Sequence, residues 1–308
     1  MKQRLLFSVV LLLSLLLITS MPLSAAPILY NPNYSIELVA SGLGAVNGVD
    51  ISPSGDIFVT DYQGRRILRI DRTTYAVGVY ASGFSYSEDL TFDNDGNLFV
   101  TSGSGAPKSI YQVFSDGSSS LFSTGYSYSV GLEAHTDGYL YIGNSGDGTI
   151  SKIDSGGSST EYLSGYGGPH GPFGLTFDDL SNLYFVQHGT GEIYKCTPEK
   201  SVSLIADLSD FGPTYIEADS DGTLYVSDSM NASIYRIEDG IVSLFASGFT
   251  GKMSPPVIGP NGLRFDENGD LFVADGESLW KIVRVPEPVT FILICIGVMN
   301  LLIYRKYI

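Results

Sequence analysis

The chain has 308 residues, enough for one large domain or two small ones. Lys and Arg total 17 against 33 Asp and Glu, and a formal net charge of −16 excludes a protein built to hold nucleic-acid phosphates. With only two cysteines, Cys196 and Cys295, a disulfide framework is excluded as well, so stability must come from a packed core.

The first element in chain order is a leader. Lys2 and Arg4 precede an apolar run from Leu5 to Ile18, and the small residues Ser24, Ala25 and Ala26 follow. This is a secretory signal pattern over residues 1–26, with cleavage expected after Ala25 or Ala26. An uncleaved anchor helix is the alternative reading.

Next comes a phrase that recurs six times. Its copies begin at Ser52 (SPSGDIFVTD), Asp93 (DNDGNLFVTS), His135 (HTDGYLYIGN), Asp178 (DDLSNLYFVQ), Asp219 (DSDGTLYVSD) and Asp266 (DENGDLFVAD). The turn glycines are 41 residues apart from Gly55 to Gly96 and 42 from there to Gly138, and the fourth copy carries Ser181 instead. Each copy reads as a short apolar strand, a turn, a second strand such as LFV, a third such as RILRI and an outer one such as SLFASGF. Asp-Gly and Asn-Gly favour tight turns because glycine takes positive φ at no steric cost. Uninterrupted apolar runs fit strands covered on both faces. Four short strands per period of about 42 residues predict an all-β fold, a six-bladed β-propeller over residues 34–283. Ile36–Leu43 matches the outer strand yet precedes the first copy, while Ser278–Val283 ends the sixth without one. The N-terminal strand is therefore expected to close the last blade and leave no open edge.

This repeat resembles the NHL-repeat propellers and the related gluconolactonase (senescence-marker-like) propellers. The resemblance implies a ligand mouth at one end of the central channel, lined by residues leading into first strands and leaving second strands. Counting eight back from each turn glycine, or from Ser181, gives Asn47, Glu88, Val130, Phe173, Thr214 and Asn261. In the gluconolactonase-like family a divalent cation, Ca2+ or another, is held by such a ring. Asn47, Glu88 and Asn261 are the matching oxygen ligands here, in three consecutive blades, whereas Val130, Phe173 and Thr214 leave the family's ligand set incomplete. The alternative is that both asparagines satisfy backbone groups at the strand start.

Asp61, Ser102, Asn144, Gln187, Asp228 and Asp275 end the second strands. An acidic collar is one reading; capping of the following turn by the side chain is the better one. His170 lies in the enlarged loop GGPHGPFG before the fourth copy, expected to open on the same mouth. Propellers of the virginiamycin-lyase type use a histidine there, which makes His170, with Glu88, a catalytic candidate. No nucleophile elbow, phosphate loop or zinc spacing occurs.

The last element is RVPEPVTFILICIGVMNLLIYRKYI, residues 284–308. Residues 289–304 are uncharged, and as a helix these 16 reach about 24 Å, slightly short of a ~30 Å hydrocarbon core. Arg305 and Lys306 form a basic stop. Pro286, Glu287, Pro288 and Thr290, then an apolar span and a basic end, resemble the PEP-CTERM sorting tails of Gram-negative bacteria. That resemblance implies recognition by an exosortase-type membrane protease, transient inner-membrane anchoring and delivery to the cell envelope or an extracellular biofilm matrix. The sequence thus leads to an exported propeller that binds protein or polysaccharide, with a metal-dependent lactone hydrolase or lyase as the rival. Tyr126 and Tyr128 are the aromatics expected to serve a carbohydrate.

Overall fold

The computed structural model describes residues 26–104, 106–167, 170–210, 212–250 and 259–285. The leader up to residue 25 and the sorting motif, apolar span and basic stop from residue 286 onward lie outside these residues. Among the described residues all regular structure is strand, and no helix is long and apolar enough to cross a membrane.

The strands form a β-propeller of five hydrogen-bonded sheets. Three contain four antiparallel strands each, starting at Ser87–Phe92, Ser129–Ala134 and Pro172–Phe177. A fourth starts at Pro213–Ala218 and gains Ile28–Leu29 as an added strand on its outer edge, Ile241–Ser247. The fifth has six strands. This corrects the expectation of six separate sheets. Tyr34–Ile51 and Leu271–Arg284 each run on without a break, and Val46 pairs with Gly276, so the first and sixth copies share one sheet. The closing strand is found where it was expected: Tyr34 pairs with Arg284, Leu38 with Trp280 and Ser41 with Ser278.

The second strands Ile57–Asp61, Leu98–Ser102, Leu140–Asn144, Leu183–Gln187 and Leu224–Asp228 are buried at every residue. Neighbouring units cover both of their faces, which is why these strands need apolar runs rather than alternation. Val59, Val100, Ile142, Phe185 and Val226 are fully buried, each stabilising the fold by about 1.5–3 kcal/mol. Toward the axis the first strands touch through backbone. A Cβ on Gly174 would lie 2.6 Å from Cα of Tyr215, and one on Gly262 would lie 2.6 Å from the Asn47 carbonyl oxygen. Only glycine permits that approach, and it sits directly after the inner-ring position in both cases.

The turns follow the sequence reading. Gly55, Gly96, Gly138, Gly222 and Gly269 have φ between +78° and +85°, and Ser181 takes the same role at +61°. The Asp93 carboxylate accepts from the backbone N–H groups of Asp95 and Asn97, so this acidic turn closes on itself. Cys196 is a packed thiol on its third strand, and burial pushes its pKa up.

Candidate functional site: the mouth of the ring

Antiparallel pairing places the starts of first strands beside the ends of second strands, as in Ser87 with Ser102, Pro172 with Gln187 and Pro213 with Asp228. One end of the ring therefore collects Asn47, Glu88, Val130, Phe173, Thr214 and Asn261 together with the six second-strand ends.

The second-strand ends staple the loops of this mouth. Asp61 accepts from the N–H groups of Ala45 and Gly64 and from Arg66 Nε. Asp228 accepts from the N–H groups of Gly212, Met230 and Asn231, and Ser102 Oγ accepts from Ser85 N–H. Asp275 accepts from Thr250 N–H. The carboxylates bind backbone, in agreement with the capping reading.

Of the candidate metal ligands, Asn47 and Asn261 are buried, and the Asn47 carbonyl accepts from Gly262 N–H at 2.7 Å. Glu88 forms an ion pair with Lys108. The Lys108 side chain is only 4% exposed, and its Nζ also donates to the Ser129 carbonyl at 2.8 Å. Burial raises the Glu88 pKa, although Lys108 pulls against the rise. A hard cation such as calcium wants six to eight oxygens. Here the single carboxylate of the predicted set already faces an ammonium group, and its companions are two amides. The donor set present does not suit such an ion. Among the described residues no group of three or more His, Cys, Asp or Glu is placed to hold a metal.

The walls are aromatic. Tyr62 and Tyr86 lie 4.9 Å apart between ring centroids, with the Arg65 guanidinium 5.1 Å above Tyr86. Tyr128 is 57% exposed, but Tyr126 is buried and its hydroxyl pairs with Ser123, so it cannot serve a ligand as expected. Phe173 stacks on His188 at 4.4 Å, and His170 stands edge-on to His188 at 5.9 Å. His188 Nδ1 lies 2.7 Å from the Pro213 carbonyl oxygen, which can only accept, so the ring carries its proton on Nδ1. Burial lowers the His188 pKa, His170 adds to that, and the Pro213 carbonyl and Asp228 oppose it. Tyr86, Tyr128 and His170 all have left-handed backbone, with φ of 56°, 48° and 67°. Bulky residues seldom accept that conformation, and such strain gathers at ligand-handling sites.

Tyr215 forms the floor. It is 6% exposed, and its hydroxyl reaches across the axis to the Glu88 carbonyl at 3.4 Å. Beneath it lies a ring the sequence reading missed. Three residues beyond each inner-ring position stand Asp50, Thr91, Glu133, Thr176, Glu217 and Arg264. Arg264 Nε is 2.7 Å from Asp50, and its Nη1 is 3.0 Å from Glu133 and 3.8 Å from Glu217. Thr176 donates to Glu217. Burial pushes Glu133 up to about 8 against the pull of Arg264. Carrying the same count three places further would have found this ring. A cavity of about 570 Å³ reaches Arg264 from the opposite end, between Arg72, Asp266 and Lys281.

No protein-family model and no curated protein matches this chain. Solved structures do. A gluconolactonase of Xanthomonas campestris aligns at TM-score 0.69 and 17% identity over 85% of this chain and 95% of that one. The calcium-binding protein regucalcin of Agrobacterium tumefaciens aligns at 0.65 and 14% over 82% and 96%. A catalytically inactive virginiamycin B lyase of Staphylococcus aureus, solved with quinupristin, aligns at 0.60 and 20% over 78% and 81%. At these identities the likeness defines the class of fold. The chain is a β-propeller whose structural neighbours are gluconolactonase-like and streptogramin B lyase propellers.

Proposed function

We propose that this protein is an exported six-unit propeller that binds a polysaccharide at the mouth. The observation that carries this reading is the aromatic wall. Tyr62, Tyr86 and Tyr128 present rings and hydroxyls, with the Phe173–His188 stack beside them, above a floor closed by Tyr215 and the neutralised Lys108–Glu88 pair. Rigid amphipathic rings give contact area at low entropy cost, and their hydroxyls match a polyol. Six units are counted because the shared six-stranded sheet holds two sequence copies.

The test is binding of the full chain to a panel of soluble glucans and uronates. Tyr128→Ala and Tyr86→Ala should each weaken retention at least tenfold if the reading is right. Unchanged binding in both variants, or no binding by the parent, removes it.

The neighbours favour a second reading, a lactone hydrolase or lyase with His170 near the substrate, although Asn47, Glu88 and Asn261 as they stand, with Glu88 paired to Lys108, do not suit a hard cation. It predicts lactone turnover. Absence of turnover with calcium, magnesium, manganese or zinc removes that reading.

Export, exosortase-type processing at Pro286-Glu287-Pro288 and delivery to a Gram-negative envelope or matrix complete the proposal. Mass spectrometry of the mature ends tests it. A mature protein that still ends at Ile308 overturns processing.

A further inference from the structure

The corner of the mouth built by the fourth copy holds two imidazoles for which the glycan reading has no use. His188 is held by its stack on Phe173 and by Nδ1–H donation to the Pro213 carbonyl. A histidine whose one ring nitrogen is tied to a backbone carbonyl, with the other lone pair left open, is the usual arrangement of a metal ligand. His170 stands edge-on to it, 5.9 Å between centroids at 76°, on a loop fixed by Gly189 N–H donating to the His170 carbonyl.

That separation is informative. With a metal–nitrogen bond of about 2.1 Å, an imidazole centroid sits about 3.2 Å from the ion, so two rings sharing one ion are at most about 6.4 Å apart. The observed 5.9 Å falls inside the limit, and a shift of about 0.7 Å in the His170 loop gives the tetrahedral angle. The groups facing His188 are His170, Asp228 and the Pro213 carbonyl, and their balance with burial keeps the ring neutral near pH 7.

We propose that His170 and His188 form a two-imidazole site for a borderline transition-metal ion such as Zn2+, with solvent or a bound ligand completing the shell. Nitrogen ligands select zinc, nickel or copper over calcium and magnesium, so this site differs in place and chemistry from the Asn47, Glu88 and Asn261 set.

The experiment is calorimetric titration of the untagged full chain with Zn2+ at pH 7.5. One saturable site with micromolar or tighter Kd is expected, weakened at least tenfold in His170→Ala and in His188→Gln. His135→Ala lies in a strand-connecting turn and should leave binding unchanged. His170 sits in a loop, so its variant tests the site even if His188→Gln fails to fold. Millimolar calcium should not displace zinc. No saturable binding below 1 mM zinc (roughly the limit for a useful site), equal binding in His170→Ala, or displacement by calcium would each overturn the proposal. Glycan retention is a separate readout, so the two proposals fail separately.

Discussion

At one end of the ring the strand connections are near-copies, five glycines and Ser181 in one left-handed conformation with an Asp, Ser or His opening each turn. At the other end the turns after the second strands repeat a left-handed residue, Arg65, Gly148, Gly191 and Ala232, but the loops into the first strands do not repeat: they differ in length and in what their side chains hold, with left-handed Tyr86, Tyr128 and His170 among them. Behind the regular end the buried groups are ionisable and mutually committed, with Arg264 among Asp50, Glu133 and Glu217. Behind the mouth Glu88 is paired with Lys108 and Asp61 with Arg66, and the wall presents aromatic rings, the Arg65 guanidinium and two imidazoles. Regular turns serve closure of the ring, and the irregular ones are where we propose that a ligand is held.

The sharpest way to break this contrast is Arg264→Ala. It strands three buried carboxylates, and equilibrium urea unfolding should show a loss of about 3–5 kcal/mol. A loss below about 1 kcal/mol would mean the cluster is not a structural knot.

The pH dependence of stability probes the same knot. Glu133 has its folded pKa raised to about 8 from an ordinary 4.5, so the folded state holds its proton more tightly than the unfolded chain. Its favourable contribution is fully present below about pH 4.5 and is lost as pH rises through about 8. Stability measured by urea from pH 5 to 9 should therefore decline, and Glu133→Gln should flatten the decline. An equal slope in that variant removes Glu133 as the cause.

Ser181→Gly restores the repeat residue in a left-handed turn. Relief of the backbone cost of about 1–2 kcal/mol, offset by the greater freedom of glycine when unfolded, leaves a gain of about 0.5–1 kcal/mol. A loss on urea unfolding would show that Ser181 is chosen for its side chain. Smallest of all is the effect of Tyr128→Ala on stability, within about 0.5 kcal/mol, because the ring faces solvent. A larger loss would make Tyr128 part of the core rather than the mouth.

The repeat was legible because period and turn chemistry are local. Asp93 to Gly96 announces its turn whatever surrounds it, and LFV or LYV announces a strand covered on both faces. The closing strand was legible too, since an outer strand without its unit at one end matches a unit without its outer strand at the other. Sheet count was not, because whether Tyr34–Ile51 breaks or runs on depends on pairing with Leu271–Arg284. Tyr126 was misjudged for a related reason. It and Tyr128 are two residues apart, yet the Ser123 hydroxyl draws the first inward.

By itself the sequence determined that this chain is a repeating β structure with a closing N-terminal strand, and where the mouth residues fall in each repeat. Those features follow from spacing and turn chemistry, which act over a few residues. Only the tertiary structure decided which of those residues are free to act. Lys108 neutralises Glu88, Tyr215 crosses the axis to floor the mouth, and Pro213 fixes the tautomer of His188. The first joins two strands of one sheet that are not neighbours, and the other two join different repeats, which closing the ring brings within bonding distance.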